Sequence, residues 1–298
     1  MAPPLLGLTL PQFATGPGPA LAAMEDAVRL GYAGVFLFDH LWPLGGPRDA
    51  PILECWTLLG ALAARLGTLP GHRPRLGTLV TRAGLRPPAV VAHMAATAGQ
   101  AAGAPLITGI GGGDRLNRDE NLAFGLPYPD RAGRQRATAR LLEALAGPEA
   151  GDPRPVTWVG GRGPAARALA GRADGWNAWA ATPDELAAGL ADVRRAAEAA
   201  GRDPGKVTGT WGGQVLVDAD GDRARARLAG WGSGRDPGEA ARVVAGDPGT
   251  VLGTLATLGE AGASWCVLTL VGGDAGRARS LLARAANLSA CPPYGAGD

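Results

Sequence analysis

The residue pair with the clearest capacity for chemistry is Asp39-His40, which directly follows the apolar run GVFLF. A carboxylate and an imidazole at a strand end can transfer a proton, with the imidazole tautomer fixed by a neighbouring group. A hydrogen-bonded structural histidine is the other interpretation, and the residues alone leave both open. Of the remaining histidines, His72 lies in a Pro/Gly turn and His93 on a predicted helix, which favours structural or surface roles.

Two glycine-rich turns form a second candidate site. The sequences GGGD (111–114) and GGRG (160–163) each follow an apolar run and precede a helical segment. Backbone N–H groups at such turns can bind phosphate, and Arg162 would add a charge-assisted contact. Neither turn matches a dinucleotide fingerprint or a Walker loop. The turns therefore indicate phosphate binding only through their position after successive strands.

Other polar and aromatic residues follow the same apolar runs. Asp114 can donate or accept a proton, or it can cap the following helix. Trp42, Trp176 and Trp179 can stack on a planar ring or pack at the rim of the fold.

The elements that must position these residues alternate regularly. Short apolar runs are separated by longer amphipathic segments, which predicts parallel strands with helical crossovers. Eight such units in 298 residues favour a closed (β/α)8 barrel, a TIM barrel, as a single domain over residues 1–298, with a loosely ordered tail from about residue 287. The eight runs are LLGLTL, GVFLFDH, RLGTLV, PLITGIGGG, VTWVGG, GWNAWA, VTGTWGGQVLV and SWCVLTLVGG.

Capping residues and prolines predict where two of the helices begin. Thr182-Pro183-Asp184-Glu185 predicts a helix start, with an N-cap threonine, a proline at the first position and acids in the first turn. Asp247-Pro248 predicts the start of a helix running to Glu260. The stretch 230–249 is expected to be a loop with a short helix. Because the active site of such a barrel is built after the strand ends, the candidate residues should share one mouth.

Composition narrows the class of protein. The chain has 29 basic and 27 acidic side chains and no long run of like charge, which argues against nucleic-acid binding and a polybasic membrane patch. No segment approaches a membrane span, and the N-terminus does not resemble a signal peptide, so we expect a soluble, cytoplasmic protein. Cys55, Cys266 and Cys291 are far apart, which predicts free thiols without a metal site.

Six segments in order carry a family resemblance over nearly the whole chain. The sequence resembles the bacterial luciferase-like monooxygenase superfamily, particularly its branch that uses the deazaflavin coenzyme F420. One departure is that only GPEAGDPRP separates the helix ending near Leu145 from VTWVGG, where relatives often carry a long insertion that walls the substrate pocket. The segments are GYAGVFLFDHLWP, ECWTLLGALAA, RLGTLVTRAGLRPPAVVAHMAAT, GIGGGDRLNRDENLAFG, VTWVGGRGPAARALAGRADGWN and GDPGTVLGTLATLGEAGASWCVL.

The resemblance implies roles for individual residues. His40 corresponds to the catalytic histidine and Asp114 to the position of an acidic partner, so both are predicted to be catalytic. Leu79-Val80 corresponds to a site where relatives often hold a non-prolyl cis peptide against the ring. The predicted cofactor-binding residues are Asp39, Thr78, Leu79, Val80, Gly112, Gly113, Asn117, Gly160, Gly161 and Arg162.

By resemblance, the chain is an F420-dependent oxidoreductase that transfers hydride between the deazaflavin and a small organic substrate. One alternative keeps the fold but uses reduced FMN and dioxygen in a monooxygenase. A second alternative is a non-catalytic ligand-binding barrel, which the missing insertion favours. The expected partners are a small-molecule substrate, a flavin or F420 reductase as electron source, and a second copy of the chain in a homodimer.

Overall fold

The computed structural model describes residues 2–43, 47–114, 117–233 and 235–288. The predicted tail therefore lies almost entirely outside the described residues, as does Cys291. The strands are β1 Leu5–Thr9, β2 Gly34–Leu37, β3 Arg75–Arg82, β4 Ile107–Gly111, β5 Val156–Gly160, β6 Gly175–Trp179, β7 Thr208–Val217, β8 Val244–Gly246 and β9 Trp265–Leu270. The α-helices are α1 Gly18–Leu30, α2 Cys55–Thr68, α3 Pro88–Ala102, α4 Asn117–Ala123, α5 Arg131–Ala146, α6 Pro164–Ala170, α7 Pro183–Ala199, α8 Gly221–Gly232, α9 Pro237–Ala240, α10 Pro248–Glu260 and α11 Ala275–Ala285.

The strands close into a parallel barrel. Strands β1 to β6 pair in chain order, β7 pairs with β6, and β9 joins β7 to β1. Each of the eight predicted apolar runs supplies one of these strands. The predicted (β/α)8 architecture is confirmed.

The short strand β8 was not predicted. It pairs with the last three residues of β7 and lies outside the closed ring. The ten-residue β7 extends beyond its ring neighbours, so its free edge can accept this addition. A three-residue strand carries too little hydrophobic alternation to be detected in a sequence. The expected short helix in this stretch is α9.

The predicted helix starts are confirmed. Thr182 and Glu185 form a reciprocal capping box at the start of α7. Asp247 caps α10 by accepting a hydrogen bond from the amide of Thr250. Both helices begin with a proline at the first turn, where its missing N–H costs nothing.

Large aromatic side chains fill the inside of the barrel. Phe36 stacks on Trp158 with ring centroids 5.7 Å apart, and Trp265 meets both rings edge-on. Phe36 fits because its ring lies against Gly7 on β1 and Gly77 on β3, where a Cβ would come within 2.9 Å of it. These glycines thus serve packing of the barrel interior.

Cys55 and Cys266 are buried free thiols, as predicted. Burial raises the pKa of Cys266 to about 12, so the thiol stays protonated at neutral pH. Within the described ranges, no cluster of histidine, cysteine and acidic residues is suited to a metal ion. No described helix has the length and apolar character needed to cross a bilayer.

Replacing Gly77 with alanine tests the interior packing. A Cβ at this position would lie 2.2 Å from the carbonyl oxygen of Ile107 and 2.9 Å from the Phe36 ring. We expect Gly77→Ala to lower the free energy of unfolding by about 1–3 kcal/mol in denaturant titration, because the backbone cannot move away.

Gly60→Ala is the matched control. Gly60 lies within α2, and a Cβ there meets no atom within 4 Å. Since alanine is the better helix former, this variant should gain about 0.5–1 kcal/mol. Equal effects of the two substitutions would contradict the packing argument.

Candidate functional site

The predicted residues lie at the carboxyl ends of neighbouring strands. Asp39 and His40 follow β2, Gly112 to Asp114 follow β4, and Arg162 follows β5. Because the strands are parallel, these ends open on the same side of the barrel, here called the mouth. The structure therefore brings the predicted residues to one end of the fold.

His40 is held at the mouth by a residue that sequence reasoning missed. Its Nδ1 lies 3.3 Å from Oε2 of Glu120, and its side chain is 21% exposed. No hydrogen bond joins Nε2 to a described residue. A signal for Glu120 was present, because Asn117 and Glu120 are three residues apart and share one face of α4. The sequence gives no indication, however, that this face meets His40.

The Glu120 carboxylate is buried among donors. It accepts hydrogen bonds from the backbone amides of Leu41 and Trp42 and from the side chain of Asn117. Arg82 Nη2 lies 3.0 Å from Oε1. Burial alone would raise the pKa of Glu120, but the His40 and Leu41 hydrogen bonds and the Arg82 charge lower it to about 2. The group is therefore an anion at neutral pH.

Asp39 lies on the other side of Arg82 with a fully buried carboxylate. Its oxygens accept from the Arg82 amide at 3.1 Å and from both terminal nitrogens of Arg86, at 2.8 and 3.1 Å. Arg86 also pairs with Glu54, the N-cap of α2. The predicted cofactor contact of Asp39 stays a prediction, and the observed contacts are to arginines.

These groups form one connected line, here called the charged network: Glu54, Arg86, Asp39, Arg82, Glu120 and His40. The first five carry charges of alternating sign, and Asp39 is linked to Arg82 through the Arg82 backbone amide. Burial lowers the pKa of Arg82, against the opposing effect of Glu120 and Asp39. For Arg86, burial also acts to lower the pKa, but pairing with Asp39 and Glu54 outweighs it and raises the value. The alternation allows several charges to be buried together at the mouth.

The turn after β4 is organised by Asn117. Its Oδ1 accepts from the amide of Asp114 at 2.9 Å, and Gly113 takes a positive φ of 68° beside it. Asp114 is exposed at the mouth, and its carbonyl accepts from the Tyr128 hydroxyl. Gly112 is half-buried next to the first residues of α5. Asn117 thus links the predicted turn to Glu120.

Strand β3 carries the expected backbone irregularity. The Leu79–Val80 peptide is cis, and the pairing register with β4 shifts between Thr78 and Thr81. Thr78 is fully buried and donates to the carbonyl of Gly109 at 3.0 Å. The cis peptide that the resemblance implied is present.

Val80 accounts for one predicted cofactor-binding glycine, Gly160, and for Gly111, the first residue of the GGGD turn. A Cβ at Gly111 or Gly160 would lie within 2.8 Å of the Val80 side chain. These glycines therefore make room for Val80 between β3 and β5. Local sequence alone could not distinguish this role from phosphate binding.

The turn after β5 is partly occupied by its own contacts. Gly161 donates its amide to the carbonyl of Asn177 at 3.2 Å and accepts from Trp176 Nε1 at 2.8 Å. Arg162 is 46% exposed and pairs with Glu185 at 3.2 Å. Arg242, which was not predicted, binds the same carboxylate and the carbonyl of Ala180. Two guanidinium groups therefore meet at this side of the mouth.

An apolar floor closes the barrel beneath the mouth, formed by Phe38, Leu79 and Trp179. Phe38 follows β2 and Trp179 ends β6 on the opposite wall, and their rings meet edge to face at 5.8 Å. A Cβ at Gly212 would lie 3.0 Å from Trp179 and 3.2 Å from Leu79. Among the predicted stacking residues, Trp179 is thus in position.

The other two tryptophans differ from Trp179. Trp42 lies half-buried at the mouth with the Arg48 guanidinium 4.3 Å above its ring. The prediction that Trp176 stacks on a bound ring is wrong. Its side chain points away from the barrel interior and packs between the barrel wall and α7, against Gly189. It belongs to the packing alternative.

The fold is shared with solved enzymes of low sequence identity. An F420-dependent secondary alcohol dehydrogenase, in complex with an F420–acetone adduct, superposes with a TM-score of 0.79 at 20% identity over 97% of this chain and 99% of that one. EDTA monooxygenase from Chelativorans sp. BNC1 gives 0.78 at 13% identity over 98% and 95%. These likenesses establish the fold alone.

Sequence relatives are closer but only partly aligned. A phthiodiolone/phenolphthiodiolone dimycocerosates ketoreductase from Mycobacterium sp. is 34% identical over 182 residues, 53% of this chain and 46% of that protein. The chain thus spans about half the length of that relative. An F420-dependent glucose-6-phosphate dehydrogenase from Nakamurella multipartita is 31% identical over 241 residues, 71% of this chain and 66% of that protein.

The family itself is established by a longer match. The sequence model described as "luciferase-like monooxygenase" matches residues 10–249, which include every predicted site residue. This match, which covers most of the chain, confirms the predicted family. The chain belongs to the luciferase-like monooxygenase family of oxidoreductases.

Proposed function

We propose that this chain is a coenzyme F420-dependent oxidoreductase that transfers hydride between the deazaflavin and the alcohol or carbonyl carbon of a small organic substrate. The observation that carries the proposal is the His40–Glu120 pair at the mouth. Oxidation of an alcohol releases a proton together with the hydride, so the reaction requires a positioned group that can take the proton. The names of the two sequence relatives, a ketoreductase and a glucose-6-phosphate dehydrogenase, support alcohol–carbonyl chemistry.

The residues at the mouth fit a planar ring with an anionic tail. The apolar floor and Val80 offer a flat, largely dry surface to a ring. Arg162 and Arg242 offer guanidinium groups to a phosphate. The proposal extends to the remaining predicted cofactor residues, which lie on β3, at the end of β5, in the turns after β4 and β5 and at the start of α4. Direct contact by Asp39 would require Arg86 to move, so we propose that Asp39 holds the arginines in place.

The protein's own residues would position and exchange the proton. A bound deazaflavin would supply the hydride transfer. His40 would take the hydroxyl proton of an alcohol, or return it to a carbonyl. Glu120 would hold the imidazole ring of His40 in place. Asp114, exposed at the edge of the mouth, would pass that proton to solvent. A separate F420 reductase would supply reduced coenzyme, and a homodimer stays a prediction.

The two alternatives make different predictions about cofactor and turnover. An FMN-dependent monooxygenase would bind reduced FMN and consume dioxygen. A non-catalytic barrel would bind a ligand without turnover, and substitutions at the mouth would change only stability or affinity.

A binding titration tests the cofactor. We expect F420 to bind at least about tenfold more tightly than FMN, a difference of about 1.4 kcal/mol. Deazaflavin absorbs to the blue of flavin, so both titrations can be followed by absorbance or fluorescence. Bound F420 should then be reduced by members of a panel of secondary alcohols. Tighter FMN binding with dioxygen uptake would favour the monooxygenase.

Replacing His40 tests proton transfer. We expect His40→Ala to lower kcat by about 10²–10⁴-fold while F420 affinity changes little, because the imidazole acts on the substrate. His93→Ala is the matched control, since His93 is an exposed histidine on α3. Unchanged turnover in His40→Ala would rule out this role for His40.

Replacing Arg162 tests the anion site. We expect Arg162→Ala to weaken F420 binding about tenfold or more, as for loss of a hydrogen bond to a charged group. Arg172→Ala is the control, because Arg172 is similarly exposed and pairs with Glu143. Titration of both variants should show a loss of affinity only in the first. Equal affinities would place the coenzyme tail elsewhere.

A further inference from the structure

The two oxygens of Glu120 have different sets of donors. Oε1 accepts from the backbone amides of Leu41 and Trp42, and Arg82 Nη2 lies 3.0 Å from it. Oε2 faces His40 Nδ1 and the side-chain amide of Asn117, each at 3.3 Å. Among the described partners of Glu120, His40 differs in that its Nδ1 can be a donor or an acceptor, because neutral imidazole can carry its proton on either nitrogen.

A carboxylate with this environment can only accept hydrogen bonds. The hydrogen bonds from His40 and from the Leu41 amide and the charge of Arg82 keep it ionised despite its burial. A lone pair of His40 Nδ1 facing Oε2 at 3.3 Å would be repelled by the anion, whereas an N–H group at Nδ1 is attracted. The contact thus selects between the two tautomers of the ring.

We infer that Glu120 is a positioning residue that fixes neutral His40 with its proton on Nδ1, so that Nε2 carries the free lone pair. Glu120 itself does not touch the substrate in this assignment and acts only through His40. The assignment names Glu120, in place of Asp114, as the carboxylate partner of the catalytic histidine.

The consequence for the reaction rests on the proposed function. When a secondary alcohol is oxidised, its C–H bond breaks with both electrons leaving as hydride to the oxidised coenzyme. Its O–H bond breaks with the proton passing to Nε2 of His40, and the carbon–oxygen double bond of the ketone forms. The imidazolium produced lies beside the Glu120 anion, which stabilises it until the proton passes to solvent. In the opposite tautomer Nε2 already carries a hydrogen and cannot accept this proton.

Nitrogen-15 NMR of the coenzyme-free protein tests the tautomer directly. The chain has three histidines, so three imidazoles are to be assigned. At a pH above which the nitrogen-15 shifts of the three rings no longer change, we expect His40 to show the Nδ1–H pattern. His72 is an internal reference, because its Nε2 lies 2.7 Å from the carbonyl of Tyr32 and must donate to it. An Nε2–H pattern for His40 in the wild-type protein overturns the assignment.

Glu120→Gln gives the opposite expectation. Three donors surround the Oε1 position, against one fixed donor, Asn117 Nδ2, at the Oε2 position. We therefore expect the amide oxygen of glutamine to face the three donors, which leaves its NH2 group facing His40 Nδ1. His40 must then accept at Nδ1, and its proton moves to Nε2. We expect the NMR pattern of His40 to switch while that of His72 stays unchanged, which also reports that the variant is folded.

Steady-state kinetics separates positioning from folding. We expect Glu120→Gln to lower kcat by at least about 10²-fold with little change in F420 affinity. Asp119→Asn is the matched control, because Asp119 is the neighbouring exposed acid on α4, paired with Arg48. A switched tautomer with undiminished kcat would overturn the role of Nε2.

The outcomes distinguish this inference from the proposed function. If the wild-type protein neither binds F420 nor oxidises secondary alcohols, the proposed function fails, while the NMR result still decides the His40 tautomer. If turnover is observed but His40 carries its proton on Nε2, the tautomer assignment fails and the proposed function stands.

Discussion

The mouth of this barrel depends on a line of charges of alternating sign, most of them buried, that ends at His40. Glu54, Arg86, Asp39, Arg82, Glu120 and His40 connect the start of α2 to the loops after β2 and β3 and to α4. Removing one member of a buried ion pair leaves its partner uncompensated, at a cost of about 3–5 kcal/mol. Each charge therefore constrains its neighbours, and the position of His40 is set by groups on three other elements.

The fold could be predicted from sequence because its signals are local and repeated. Eight apolar runs, separated by amphipathic segments with recognisable caps, are enough to indicate a closed barrel. The strand β8 could not be predicted, because it is short and forms only where β7 extends past the closed barrel. Its stability comes from a neighbour's free edge, which no pattern within residues 244–246 encodes.

The candidate site was predictable to the extent that its residues follow strands. Asp39, His40 and the turn after β4 could be placed at the mouth for this reason. Glu120 could not, because its contact with His40 joins residues 80 positions apart and depends on where α4 packs. For the glycines, a sequence pattern was present but has a second explanation in packing. Gly111 and Gly160 fit a phosphate-binding pattern, yet at each of them the Val80 side chain leaves no room for a Cβ.

The geometry divides the mouth into two parts with different physical properties. On the side of β2 to β4, the charged network is buried and compensated, which suits a fixed proton acceptor. On the side of β5 and β6, Arg162 and Arg242 are more exposed and share a single carboxylate, so their charge is less fully neutralised locally. Between them lie Val80 and the apolar floor, in which the indole N–H of Trp179 is the single polar side-chain group. A ligand that spans all three regions must combine an anionic end, a flat apolar centre and a reacting group beside His40, which is why a planar coenzyme with a charged tail fits this barrel better than a small polar ligand.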